Sequence, residues 1–251
     1  MVERELLAKR FAELERKSRE GGYFLFSDFL GLNEQAVFEE VKRGLGRISY
    51  TAFGGAEGAE RVMIRFGDEE EIGYGMPYPI TCLKIEPKSQ KFADKLTHRD
   101  FLGATLNLGI DRATLGDIII RDNVGYLFCK DEIAEYIICS LTRVKHTDVT
   151  LSVAESLPSG ELYKTEPRRV QAVGERLDAI IAKVFSLSRD EANTYFKRRL
   201  VFVSGRLTEN NSYIPKPDEC ISVRGLGRFI YRGYSSTSKK GKLNIDIDVY
   251  V

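Results

Sequence analysis

Residues 175–205 read ERLDAIIAKVFSLSRDEANTYFKRRLVFVSG, a stretch whose periodicity predicts two short helices followed by a strand. The first helix carries an apolar stripe at relative positions i, i+3, i+4, i+7 and i+8, formed by Leu177, Ile180, Ile181, Val184 and Phe185. A second helix begins at Ser188, because Glu191 completes an S-x-x-E capping box three residues later. The alternating LVFVSG that follows indicates a strand and a turn.

Long cationic side chains accompany the second helix. Arg189 and Lys197 share one of its faces, and Arg198 and Arg199 stand at its end. Arg and Lys bind phosphate groups without regard to base sequence. The helix pair therefore suits a polyanionic ligand, and we expect the loss of any one exposed cation to change the stability of the fold by about half a kcal/mol or less.

The strands downstream carry further cations and two glycines. ECISVRGLGRFIY (219–231) predicts a second set of strands, and NIDIDVYV (244–251) predicts the strand that closes the sheet. Arg224 lies beside Gly225 and Gly227, whose missing side chains allow a bulge or a close approach of the backbone to a ligand.

The near-neutral charge of the 251-residue chain, +1, conceals a split between its two ends. Residues 168–251 contain 16 Lys or Arg and nine Asp or Glu, whereas residues 1–167 contain 22 and 28. Such asymmetry indicates that the C-terminal end meets a polyanion and that the acidic N-terminal body is not the main phosphate binder.

The composition excludes several classes of protein. A chain that is 43% hydrophobic and 30% charged is ordinary for a globular protein and argues against disorder. No apolar run approaches the roughly 20 residues that span a bilayer, and the charged start lacks the apolar core of a secretory signal. We expect a soluble, cytoplasmic protein without a membrane partner. The four cysteines form no C-x-x-C pair, so we expect no metal and no cofactor.

The acidic body divides into two patterned segments. The first 72 residues alternate helix, strand, helix and a glycine-linked hairpin, which predicts a small α+β unit. Residues 73–156 follow the order β-α-β-β-α-β, the split-βαβ pattern of ferredoxin-like domains. The polar, proline-containing stretch 157–169 then predicts a linker.

The C-terminal motifs resemble a known RNA-binding module. R-L-D, S-R-x-x-A, V-x-V and V-R-G-x-G-R-F occur in order within RLDAIIAKVFSLSRDEA (176–192), VFVSGR (201–206) and ISVRGLGRF (221–229). They are similar to the alpha-L module named after ribosomal protein S-four. Because this module follows the pattern HRDFLGATLNLGIDRATLGDIII (98–120), nearly the whole chain resembles the YlmH proteins of Gram-positive bacteria.

This resemblance implies a fold, a function and a set of partners. The expected fold is α+β, with a small α+β unit (1–72), a ferredoxin-like domain (73–156) and an alpha-L RNA-binding domain (168–251). The implied function is association with the large ribosomal subunit carrying peptidyl-tRNA, in quality control of stalled translation. The implied partners are rRNA, tRNA and quality-control proteins. The predicted RNA-binding residues are Arg176, Arg189, Lys197, Arg198, Arg199, Arg206, Arg224 and Arg228.

At three places the sequence departs from the usual pattern of the module. Arg199 and Asp218 stand where the module usually has glycine, and Ser204 stands where it usually has asparagine. All three changes fall in or beside turns.

Two other functions compete with an RNA-binding factor. Arg176-Leu177-Asp178 is the R-L-D triplet that carries the catalytic Asp of pseudouridine synthases, but only 73 residues follow it, too few for the catalytic domain. An RNA-modifying enzyme would instead need its active site in the 80–155 segment, and a paired acid and base in a deep pocket there would favour it. An adaptor linked to cell division is the other alternative, and the failure of the basic face to bind RNA would favour it. Our expectation is a protein without enzymatic activity.

Overall fold

The computed structural model describes residues 2–45, 48–157, 163, 165–238 and 241–250. Its chain divides into one compact unit of Met1–Leu162 and a second of Tyr163–Val251. Both units combine helices with antiparallel sheets, so the predicted α+β class is confirmed. Among the described residues, no helix is long and apolar enough to cross a membrane.

The start of the chain forms a three-stranded sheet covered by two helices. Phe11, Phe38 and Phe66 meet in its core with their rings edge to face. The sheet order is β1-β3-β2. A one-turn helix, which the sequence did not predict, begins after Asp68 because that carboxylate accepts the N–H groups of two glutamates. The elements are α1 (Val2–Gly21), β1 (Leu25–Phe26), α2 (Leu32–Gly44), β2 (Tyr50–Phe53), β3 (Met63–Phe66) and α3 (Glu69–Ile72).

The middle segment forms a five-stranded sheet in the order β5-β6-β4-β8-β7. Two helices cover one face, where Leu83, Phe101 and Ile137 are fully buried. Asp122 and Asn123 both have positive φ angles, of 49° and 64°, and make the tight turn between β5 and β6. The elements are β4 (Ile80–Pro87), α4 (His98–Leu106), β5 (Leu115–Arg121), β6 (Val124–Lys130), α5 (Asp131–Ser140), β7 (Arg143–Val144) and β8 (Thr147–Val153).

The first two predicted domains share a core within the first unit. Phe29 and Met63 pack against Ile119 and Phe128 on the face of the five-stranded sheet that α4 and α5 leave uncovered. The boundary predicted between residues 72 and 73 therefore separates two sheets but not two independent cores. The sequence did not predict this contact. Apolar residues on both faces of a strand indicate that both faces are covered, but they do not indicate which segment covers each face.

The C-terminal unit is a six-stranded sheet with two helices on one face. The strand order is β11-β10-β12-β13-β14-β9, and Ile180, Phe196 and Ile245 lie in its core. Gly225 and Gly227, with φ angles of 90° and 139°, form the turn between β12 and β13. The elements are β9 (Thr165–Ala172), α6 (Leu177–Val184), α7 (Arg189–Lys197), β10 (Val201–Val203), β11 (Arg206–Leu207), β12 (Cys220–Val223), β13 (Gly227–Thr237) and β14 (Leu243–Tyr250).

The predicted linker (157–169) needs correction at its end. Residues 165–169 belong to β9, which pairs with β14 from Thr165 to Ala172, so the sheet begins before the predicted start at 168. The sequence interpretation took Pro167 as the sign of a linker. Proline is nevertheless tolerated in a strand at the edge of a sheet, and β9 is an edge strand. Residues 158–162 and 164 of the predicted linker lie outside the described residues.

Candidate nucleic-acid interface

A buried carboxylate ties together the N-terminal ends of α6 and α7. Asp178 is only 1% exposed, and its oxygens accept hydrogen bonds from Arg176 Nε (3.2 Å), Arg176 Nη2 (3.1 Å) and Arg189 Nε (2.9 Å). Burial by itself raises the pKa of Asp178, but the hydrogen bonds from Arg189 and Arg176 outweigh it and hold the pKa below its ordinary value. The carboxylate thus stays charged in the first turn of α6, where the helix dipole also favours an anion.

Two of the eight predicted RNA-binding residues therefore have an internal role. Arg176 and Arg189 position the two helices against each other through Asp178. Their side chains remain 44% and 49% exposed, so both guanidinium groups still reach the surface beside the helix ends.

The C-terminal end of α7 fixes the backbone of the next cationic group. Arg199 has a φ of 59°, and the N–H groups of Arg199 and Leu200 bond the carbonyls of Phe196 and Tyr195 at 2.9 Å each. This is a Schellman motif with Arg199 at the position that usually holds glycine. Ser204 and Asp218 also have positive φ angles, of 45° and 68°. All three departures from the module pattern thus keep the left-handed backbone that glycine and asparagine adopt readily.

Four cations converge beyond this helix end. Lys197, Arg198 and Arg199 are exposed, and the Arg224 N–H donates to the carbonyl of Leu200 at 2.9 Å, which brings Arg224 alongside them. Arg199 also faces Glu209 at 3.4 Å, but both side chains are more than 60% exposed, so this ion pair contributes little.

The cationic surface continues onto the sheet face opposite the helices. Phe202 lies on that face, because its neighbours in β10 are buried against the helices, and the Arg224 guanidinium stands 4.5 Å from the centroid of its ring. The register places Phe202 opposite Ser222 and Ser222 opposite Arg228. The Arg228 guanidinium in turn lies 4.6 Å from the Tyr250 ring centroid. We call Lys197, Arg198, Arg199, Arg224 and Arg228 the basic strip.

The basic strip can bind phosphates by charge and bases by stacking. A guanidinium lying flat on an aromatic ring keeps its N–H groups pointing outward in its own plane, where they can reach phosphate oxygens. Arg and aromatic planes also stack on unpaired bases. Arg206, the last of the predicted residues, is exposed on β11 at the edge of the sheet and lies outside the strip.

Other cations on the same sheet face are neutralised. Arg169 Nε lies 2.6 Å from Asp246, and Arg232 Nε lies 2.7 Å from Asp248. The hydrogen bond from Arg169 lowers the pKa of Asp246, which therefore stays charged. These pairs offset the positive charge of Arg169 and Arg232 on that face.

Sequence reasoning missed the aromatic partners and the Asp178 contacts. The alternation in V-F-V (201–203) indicates that Phe202 faces away from the core. The same alternation in IDIDVY (245–250) places Tyr250 on the other face of the sheet from the buried Ile245 and Ile247. No local signal links Asp178 to Arg189, because their approach depends on how α6 and α7 pack.

Comparisons with known proteins give three findings. Residues 76–157 match a family model described as "Putative RNA-binding domain in YlmH". The chain is 26% identical over 229 residues to the ribosome-associated protein quality control protein P2 of Bacillus subtilis (strain 168), covering 88% of this chain and 86% of that protein. It is also similar to the solved structure of the cell division protein ylmH from Streptococcus pneumoniae, with 19% identity, a TM-score of 0.48, and coverage of 61% of this chain and 92% of that chain. The matched residues 76–157 contain the five-stranded sheet and none of the eight predicted RNA-binding residues.

Proposed function

The chain belongs to the YlmH family, and from that premise we propose that it is a non-catalytic RNA-binding factor that associates with the ribosome. In detail, we propose that it binds the large ribosomal subunit carrying peptidyl-tRNA and acts in quality control of stalled translation. The observation that carries the proposal is the basic strip, five cations brought together by the end of α7 and the open face of the sheet.

The shape of the basic strip suits a large RNA. Its cations lie at the end of α7, in the turn between β12 and β13, and on β13, so they can neutralise several phosphates along a folded backbone. The cation–π pairs Arg224–Phe202 and Arg228–Tyr250 add planar side chains for bases that are not paired. Ribosomal RNA and tRNA offer both features in one particle.

The printed name of the Bacillus subtilis relative supports the ribosome as the partner, since it describes a ribosome-associated protein of quality control. The family model, with its RNA-binding description, supports RNA as the chemical class of the ligand. A ribosomal partner would place the protein in the cytoplasm.

The environments of the candidate catalytic groups support a function without catalysis. Asp178 of the R-L-D triplet is buried, and both carboxylate oxygens are held by arginines, so it is not presented to a substrate. In the 80–155 segment, burial raises the pKa of both Cys82 and Cys129 to about 12, so these thiols stay protonated at neutral pH and are poor nucleophiles.

Sedimentation of the tagged full-length chain with ribosomal subunits tests the proposal. The triple variant Lys197→Ala, Arg198→Ala, Arg224→Ala should lose sedimentation with the large subunit, and its RNA affinity should depend less steeply on salt, by a slope of up to about three. The matched control removes three cations of α1, Arg16→Ala, Lys17→Ala and Arg19→Ala, with the same change in net charge. The proposal fails if both triple variants sediment with the large subunit as the parent does.

A further inference from the structure

The loop between β4 and α4 exposes an aromatic ring among cations. Phe92 is 81% exposed, the largest fraction among the exposed large apolar side chains that the structure describes. Lys91, beside it, places Nζ 5.5 Å from the centroid of its ring. Lys88, Lys95 and Arg99 are also exposed on this loop and on the first turn of the helix that follows.

Hydrogen bonds hold this loop in place. The Asp94 N–H donates to Thr147 Oγ1 at 2.9 Å, and the Leu96 N–H donates to Asn123 Oδ1 at 2.8 Å. The Asp94 carboxylate accepts the His146 N–H at 3.2 Å. The loop is thereby fastened to two neighbouring turns of the sheet, and the exposure of Phe92 is a feature of an ordered surface.

The same contacts gather positive charge around Phe92. Residues 88–99 contain four Lys or Arg and a single acid, Asp94, whose carboxylate faces the His146 ring at 3.5 Å. The fastened turn between β7 and β8 adds the exposed Lys145 to this end of the sheet, while Arg143 on β7 faces Asp148 at 3.4 Å. An exposed ring with cations on both sides of it in the chain combines a flat surface for stacking with charges that can meet phosphates.

We propose that this surface is a second RNA contact, in which an unpaired nucleobase stacks on Phe92 while Lys88, Lys91 and Lys95 neutralise the phosphates on either side. This inference rests on the proposed function, since it assumes an RNA ligand, and it assigns a specific site within the residues 76–157 that match the family's RNA-binding model. The site belongs to the first unit of the chain and the basic strip to the second, so the two RNA contacts use different residues.

Charge and shape favour RNA over a protein or a membrane as the occupant. Docking of a protein or insertion into a bilayer uses several exposed apolar side chains, whereas here Leu96 is buried and Phe92 stands alone among cations. A single ring that tolerates any base, flanked by flexible cations, is the arrangement that stacking sites for single-stranded RNA use.

The natural sequence contains no tryptophan, so Phe92→Trp introduces a unique fluorophore at the proposed site. A single-stranded RNA oligonucleotide of mixed sequence should quench this fluorescence by stacking. Inorganic polyphosphate, which supplies charge without bases, should not quench it, and vesicles containing anionic lipid should leave its emission maximum unchanged. Tyr136→Trp is the matched control, an aromatic position on α5 that is 51% exposed, and its fluorescence should not respond to the oligonucleotide.

Affinity measurements with the same oligonucleotide complete the test. Phe92→Ala should weaken binding at this site by roughly 5- to 100-fold, whereas Phe92→Tyr should retain it. Lys91→Ala should reduce the salt slope by about one. The inference would be overturned if the oligonucleotide left the fluorescence of the Phe92→Trp chain unchanged. It would also be overturned if the vesicles alone caused a blue shift of that fluorescence.

The triple variant of the basic strip separates this inference from the proposed function. In that background, the oligonucleotide should still quench the fluorescence of Phe92→Trp, because the two contacts are distinct. If the parent sediments with ribosomes but quenching is absent, the Phe92 site is wrong and the proposed function stands. If quenching occurs but neither the parent nor any variant sediments with ribosomes, the proposed ribosomal function is wrong and the RNA contact stands.

Discussion

The C-terminal sheet and the five-stranded sheet have the same layers, two helices against one face of an antiparallel sheet, but they expose different chemistry. In the five-stranded sheet, the face away from the helices is covered in part by Phe29 and Met63. In the C-terminal sheet, the corresponding face carries Arg224 and Arg228 on aromatic rings. One sheet can therefore bind a ligand across its face, whereas the other has to use the loops at its end.

The two regions also differ in their balance of basic and acidic residues. Residues 168–251 carry 16 basic and nine acidic residues, whereas residues 76–157 carry ten and 11. Net charge alone would assign all phosphate binding to the C-terminal unit. The cluster around Phe92 shows why this is too coarse, because residues 88–99 hold four Lys or Arg against one acid within a region whose overall balance is slightly acidic.

The largest expected effect comes from emptying one core while leaving the other intact. Phe196 is 3% exposed in the C-terminal core, so Phe196→Ala should destabilise that unit by about 2–5 kcal/mol and remove binding by the basic strip through unfolding. Phe101→Ala is the counterpart in the five-stranded sheet and should leave the strip functional. Thermal unfolding followed by circular dichroism, paired with RNA binding, checks both variants. Equal loss of strip binding in the two would break the comparison.

Breaking the Asp178 contacts should have the next largest effect. Sequence alone treats Arg189 as one exposed cation among several, but Arg189→Ala removes a charged hydrogen bond from a buried carboxylate. We expect a loss of about 1–3 kcal/mol in the stability of the C-terminal unit, measured by urea unfolding. Lys183→Ala, an exposed cation on α6, is the control and should change stability by about half a kcal/mol or less. A loss in Arg189→Ala no larger than that of the control would show that the buried carboxylate does not need this partner.

The same carboxylate gives the C-terminal unit a dependence on pH. Because the pKa of Asp178 is lower in the folded chain than its ordinary value of 3.8, its contribution to stability is present above that pH and is lost as the pH falls through the folded pKa. Urea unfolding from about pH 5 downward should therefore show falling stability, with a smaller slope in Asp178→Asn. The slope should not vanish, since the pKa of Asp246 is lowered as well. Identical slopes in parent and variant would mean that Asp178 does not couple stability to pH.

How far sequence reasoning succeeded depends on how local each feature is. The helix pair was predictable because its apolar period and the Ser188 capping box are local, and α7 does begin after Ser188. Strand β9 was not predictable from the sequence, because it is held by pairing with β14, which is far away along the chain. Pro167 and the cations that follow it are also typical of a linker.

The candidate site divides in the same way. The cations were identifiable by residue type, but their partners were not. Arg224 meets Phe202 across strands, and Arg189 meets Asp178 across helices, so both contacts require the tertiary fold. Phe92 stood out in no sequence pattern, since its significance lies in its exposure.

The backbone at the helix end offers a smaller effect of opposite sign. Arg199 holds a left-handed φ of 59°, which costs a non-glycine residue about 1 kcal/mol. Arg199→Gly should therefore stabilise the C-terminal unit by about 0.5–1 kcal/mol while removing one cation of the basic strip. Arg198 has a φ of −83°, so Arg198→Gly should not stabilise the unit. Differential scanning calorimetry distinguishes the two variants, and a gain in both would assign the effect to relieved charge repulsion.

The smallest expected change in stability accompanies the most direct test of the basic strip. Arg198 is exposed at the end of α7, so Arg198→Ala should change the unfolding free energy by about half a kcal/mol or less. If Arg198 neutralises one phosphate, the same variant should weaken binding to RNAs of unrelated sequence alike and reduce the salt slope by about one. Binding isotherms at several salt concentrations, with melting curves of the same samples, separate this result from the unfolding caused by Phe196→Ala. If the salt slope of RNA binding were unchanged in Arg198→Ala but reduced in Lys91→Ala, the principal phosphate contacts would be assigned to the loop around Phe92 and not to the C-terminal sheet.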